Sequence, residues 1–88
     1  VWDGALILTR HLERERKRYF GARGADGQPR YRRLLEIGAG CGLAGMAAAL
    51  LSGRPQDVLL TDLPHVLQQL RFNCVANGLG ACHVLPLD

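Results

Sequence analysis

No apolar run in this chain approaches the roughly 18 uninterrupted residues that a membrane-spanning helix needs, so nothing in the sequence supports a bilayer-crossing segment. No basic stretch followed by an apolar one opens it, so the pattern of a secretory signal is absent from these residues. Cysteine is scarce and odd in number. Cys41, Cys74 and Cys82 make no CxxC pair and have no His at finger-like spacing, which argues against a disulfide framework and a zinc site. Reduced thiols fit an intracellular protein, and the expected location is the cytoplasm, with the nucleus as alternative. Internal repeats and low-complexity tracts are lacking too.

Chain length is the next shortage. A parallel α/β sheet normally needs more than 88 residues to cover both of its faces. The sequence opens on Val1 and closes on Asp88 directly after an apolar run, so a piece of a larger domain is expected.

Charge is present but unevenly placed. Arg10 to Arg33 holds nine basic residues against Glu13, Glu15 and Asp26, so the rest of this +3 chain is net acidic. Basic clusters bind phosphate, but here acids are intermixed and only Tyr19, Phe20 and Tyr31 offer stacking rings. A solvated helix face and loop is the preferred reading, and nucleic acid is not the expected partner. Steering of an acidic protein substrate stays open.

The coarse pattern alternates strand and helix. Val1 to about Phe20 reads as a helix, with Asp3 near its positive end. Gly21, Gly24, Gly27 and Pro29 then mark residues 21–31 as a basic, glycine-rich connection. RLLEI is a short strand, LAGMAAALLS a helix stopped by Gly53, and DVLLTD a second strand. LPHVLQQLRFNCVANG follows as a helix started by Pro64 and closed by Asn77-Gly78, with Val66, Leu67, Leu70, Cys74 and Val75 as its core-facing stripe. ACHVLPLD is a third strand. The expected fold class is α/β: a β-α-β-α-β half of a Rossmann-like, doubly wound parallel sheet after an N-terminal helix, incomplete in this chain. Continuous apolar strands predict burial on both sheet faces.

The chemistry concentrates in LLEIGAGCGLAG, Leu34 to Gly45. In such a half-sheet the first strand-to-helix turn lies at the carboxyl edge, where ligands bind, and glycines there permit close backbone approach. A dinucleotide fingerprint fits only as Gly40, Gly42 and Gly45, which starts the loop two residues late. Read from Gly38, its third position falls on Leu43. A P-loop fails because Leu43 and Ala44 stand where Lys and a hydroxyl are required. What remains is an acid and alternate glycines: Glu36, Gly38, Gly40 and Gly42. A carboxylate at the loop mouth repels pyrophosphate and attracts a cofactor bearing an ammonium and a sulfonium, which favours S-adenosyl-L-methionine. Asp62 ends the second strand, placed to accept from ribose hydroxyls, as acids do in NAD sites too. Asp88 ends the third strand, where it would either accept from an adenine amino group or serve as a turn residue.

VWDGALIL, LLEIGAGCGLAGMAAAL, VLLTDLPHVLQQLRFNCVAN and VLPLD, in that order, closely resemble the class I (seven-β-strand) S-adenosylmethionine-dependent methyltransferases, in particular their non-histone protein-lysine branch. The resemblance covers nearly all of the chain outside Arg14 to Arg32. It implies that 1–88 is a partial methyltransferase domain in which 32–88 forms the cofactor-binding half. By resemblance Trp2 packs near the cofactor, though on its own it reads as a core aromatic. Glu36 faces the methionine end, Gly38, Gly40 and Gly42 form the turn that admits it, Asp62 binds the ribose and Leu63 lies beside the adenine. Asp88 matches a position commonly followed by an aromatic residue. Asn73 and Asn77 match a recurrent pair on the helix after the second strand, capping being the simpler reading of Asn77. His11, His65 and His83 match no catalytic position.

The implied reaction is methyl transfer to a lysine nitrogen of a protein substrate. The acceptor segment that follows the fourth strand in the family does not occur in these residues, so catalytic residues are not assigned, and the chain alone is expected to be inactive. A flavin- or nicotinamide-dependent oxidoreductase fragment and a non-catalytic cofactor-binding scaffold are the alternatives.

Overall fold

The computed structural model describes residues 3–21 and 33–87. Its elements are α1 (Asp3–Arg14), β1 (Leu34–Ile37), α2 (Leu43–Ser52), β2 (Val58–Asp62), α3 (Leu67–Ala76) and β3 (His83–Pro86). Single helical turns at Pro55–Asp57 and Pro64–Val66 lead into β2 and α3. The three strands lie in the order β1-β2-β3, both pairs parallel, with Leu35 opposite Leu59 and Leu59 opposite His83. This is the expected α/β half-sheet. Among the described residues no helix is long and apolar enough to cross a membrane.

The N-terminal helix departs from the continuous segment expected over residues 1–20. α1 ends at Arg14, and a wider π-type turn, Lys17–Gly21, follows it. Arg18 and Tyr19 both donate to Glu15 O, at 3.0 and 3.2 Å, so the ladder changes its step there. The wider turn lets the Tyr19 hydroxyl meet His11 Nε2 at 3.0 Å.

Both crossover helices fall on one face of the sheet. With strand order 1-2-3, right-handed crossovers leave no other choice. Val58, Leu60 and Val84 point to that face and are buried, and Leu60 and Leu70 are fully enclosed. Removing such a leucine from water contributes about 1.5–3 kcal/mol. The opposite face carries Leu35, Ile37 and Leu85, exposed by 57, 70 and 52%. Burial on both faces, expected from the apolar strands, is therefore not what these residues achieve, because both covering helices are spent on one side. A cavity of about 410 Å³ lies between α1 and α2, lined by Leu12, Phe20, Ala48 and Val58, and one of about 420 Å³ borders the uncovered face at Leu35, Leu59 and Leu85; both lie away from the glycine turn.

On α3, Leu67, Leu70 and Cys74 face the core as expected, but Val75 is 69% exposed. One residue beyond Cys74 advances 100° around the helix and carries Val75 off the stripe. Arg71 ties this helix to β3 by donating to Val84 O at 3.0 Å.

Candidate functional site

β1 delivers the glycine turn to the carboxyl edge of the sheet. Ala39 N–H donates to Thr61 O at 2.9 Å, which extends the β1–β2 pairing into the turn. Gly42 N–H then donates to Ala39 O at 2.9 Å, closing residues 39–42, and Met46 N–H donates to Gly42 O at 2.8 Å to start α2. Gly38, Gly40 and Gly42 have φ of 71, 59 and 93°, left-handed values that a side chain strains.

These glycines do different work. A Cβ on Gly38 or Gly40 would meet nothing within 4 Å, so the backbone there faces open space that a ligand can approach. At Gly42 it would stand 2.7 Å from a Leu70 methyl. Gly42 is thus also a packing glycine, as is Gly45.

Two carboxylates flank the turn. Glu36, half-buried under α2, accepts the Gly45 N–H at 3.1 Å on Oε1. Burial raises its pKa above the ordinary carboxylate value, the Gly45 hydrogen bond opposes that rise, and the Asp62 charge adds to it. Asp62 accepts Gly40 N–H on Oδ2 and Leu63 N–H on Oδ1, both at 2.7 Å. The Gly40 bond first, then that from Leu63, lowers its pKa. Partial desolvation opposes them, and His65 adds to the lowering. The Thr61 hydroxyl donates to Glu36 O at 2.7 Å, locking the strand ends that present the two acids.

Glu36, Gly38, Gly40, Gly42 and Asp62 thus meet at one edge, and Leu63, 46% exposed, stands beside them. Leu87 N–H donates to Asp62 O at 3.0 Å, which brings the end of β3 to the same edge. Trp2 and Asp88 lie outside the described residues. Sequence reasoning gave no site role to Gln69 or the Thr61 hydroxyl, and it left Asn73 as a matched position without a contact. Asn73 Nδ2 in fact donates to Cys41 O at 2.9 Å. A hydrogen bond across 32 residues has no local sequence signal.

The donor set suits a cofactor with a cationic end and a ribose: open backbone at Gly38 and Gly40, a half-buried acid beneath, and a second acid at the next strand end. Comparison with known proteins points the same way. A family model described as lysine methyltransferase matches residues 1–86. EEF1A lysine methyltransferase 3 of Xenopus tropicalis is 38% identical over 77 residues, 88% of this chain and 29% of that protein. Protein-lysine methyltransferase METTL21E of Mus musculus is 38% identical over 86 residues, 98% of this chain and 31% of that protein. Histone-arginine methyltransferase METTL23 of Homo sapiens is 34% identical over 90 residues, 99% of this chain and 40% of that protein. This chain spans about a third of the length of these curated relatives. The turn, its two acids and the match across the sheet place it: the chain belongs to the lysine methyltransferase family.

Proposed function

We propose that the protein transfers a methyl group from S-adenosyl-L-methionine to a lysine side chain of a protein substrate, and that residues 34–76 supply much of the cofactor site. The observation that carries this reading is the bond from Gly45 N–H to Glu36. The first turn of a helix is an anion site, and a dinucleotide pyrophosphate uses those N–H groups. Here a carboxylate of the protein already occupies one of them. A phosphate would have to displace Glu36, whereas a cation can add to its remaining oxygen, Oε2.

When bound, the cofactor supplies a methyl group on a positively charged sulfur. Glu36 holds the cationic amino-acid end, and Gly38 and Gly40 let it lie against the backbone. Asp62, kept ionised by the Gly40 and Leu63 N–H groups, accepts from the ribose hydroxyls. Leu63 offers an apolar side chain to the base, and Trp2 and Asp88 are assigned to the same cofactor on the family resemblance. With donor and amine aligned, proximity carries much of the acceleration. EEF1A, named in two relatives, is the first protein substrate to test.

Calorimetry on the complete protein tests the reading. Wild type should bind S-adenosyl-L-methionine, and Glu36→Ala and Asp62→Ala should each weaken binding about 10- to 100-fold, as expected for loss of a hydrogen bond to a charged group. Unchanged affinity in both variants, or binding of NADH in place of the sulfonium cofactor, refutes it.

A further inference from the structure

We infer that Asn73 is a positioning residue for the glycine turn, fixing the Cys41 carbonyl from α3 and with it the backbone on which the cofactor lies. The inference rests on the methyl-donor reading above for its last step only. Asn73 Nδ2 donates to Cys41 O at 2.9 Å. Gln69 Nε2, one helical turn earlier, donates to Asn73 Oδ1 at 3.0 Å. The Gln69 donor needs the amide oxygen, which turns the amide nitrogen toward the loop. Asn77 Nδ2 donates to Asn73 O at 2.7 Å and anchors the same residue through its backbone.

The turn does not satisfy the Cys41 carbonyl by itself. Gly42 N–H closes residues 39–42 onto Ala39 O, and the carbonyl of the third residue of such a turn projects outward. β2 secures the other side through Thr61 O and the Asp62 carboxylate. Asp62 therefore fixes the peptide entering Gly40, and Asn73 the peptide entering Gly42. Without Asn73 the peptide between Cys41 and Gly42 keeps only the turn bond from Gly42 N–H to Ala39 O. Gly42, free of a side chain, gives that peptide more room to rotate against the single remaining bond.

The test uses the complete protein with Asn73→Asp and Asn73→Ala. Asn73→Asp keeps the size and the acceptor for Gln69 but has no donor for Cys41 O. Amide hydrogen exchange without cofactor, calorimetry with S-adenosyl-L-methionine, and steady-state kinetics are the readouts. Both variants should exchange the Gly40 and Gly42 amides about tenfold faster, bind the cofactor about tenfold more weakly and raise its KM in proportion, with kcat within about twofold. The core amides of Leu60 and Leu70 should be unaffected. Unchanged exchange at Gly40 and Gly42 in both variants overturns the clamp, whatever the cofactor. Equal acceleration at Leu60 and Leu70 also overturns it, in favour of a general stabilising role. Faster loop exchange with unaltered affinity overturns the link to the cofactor. A wild type that binds no S-adenosyl-L-methionine refutes the methyl-donor reading, and the exchange measurement still decides the clamp.

Discussion

Gly45→Ala puts a methyl group where α2 already touches the sheet. Its Cβ would stand 2.1 Å from Leu60 Cδ2 and 2.7 Å from Glu36 Oε1. Leu60 is fully enclosed, so its methyl has nowhere to swing, and Glu36 is held in place by the Gly45 N–H itself. Overpacking costs about 1–3 kcal/mol. Displacing the carboxylate loses a charged hydrogen bond of about 1.5–3 kcal/mol. Against these stands a helix-propensity gain of roughly 1 kcal/mol for Ala over Gly. The balance is a destabilisation of about 2–4 kcal/mol, or about 5–15 °C in the thermal midpoint of a domain of roughly 150–250 residues. Calorimetric melting of the complete protein reads it. Leu60→Val removes both δ-methyls, and in that background Gly45→Ala should cost at least about 1 kcal/mol less, because the two sites are in contact. A midpoint that rises, as propensity alone requires, or an identical penalty in both backgrounds, would refute the packing argument.

Glu36→Gln retains an oxygen for the Gly45 N–H and removes the buried charge. Because the folded pKa of Glu36 lies above 4.5, its ionised form costs stability at neutral pH, and that cost fades as pH falls toward 4.5. The variant should melt above wild type at neutral pH, with the gap closing on acidification, while cofactor affinity drops. A lower neutral-pH midpoint contradicts this. Asp62 has the opposite sign: its folded pKa is below 3.8, so its stabilisation is present above 3.8 and is lost as pH falls through the lowered value. Asp62→Asn should melt below wild type at neutral pH, and acid unfolding followed by circular dichroism should show the difference vanishing well below 3.8. An undiminished difference there would mean that charge is not what Asp62 contributes.

The alternation of strand and helix was legible because each boundary carries its own local chemistry. Gly53 and Gly78 stop α2 and α3 with φ of 67 and 72°, and Pro64 opens the turn into α3. The acids at strand ends were legible for the same reason, since Glu36 and Asp62 interrupt apolar runs. What periodicity could not supply was which neighbour fills each space. Val75 reads as core by composition and lies outside it by one helical step. Leu35, Ile37 and Leu85 are apolar enough for a buried face, yet burial depends on a covering element and not on the strand's own residues. Asn73 bonds to a loop 32 residues earlier, and only the folded crossover brings them together.

The four glycines of the turn divide in a way that the letters alone conceal. A dinucleotide register needs its second glycine to let backbone approach the pyrophosphate, and in this sequence that glycine would be Gly42. The direction a Gly42 side chain would take is already filled by the methyl groups of Leu70 on α3 and Met46 on α2, so its lack of a side chain serves helix packing. Gly45, the third glycine of that register, is closed off by Leu60 and Glu36. Only Gly38 and Gly40 face open space, and they belong to the register that begins with Glu36. Spacing left the two registers overlapping on the same residues. The direction each missing side chain would take separates them, and it leaves the acid and the two open glycines as the surface presented to a ligand.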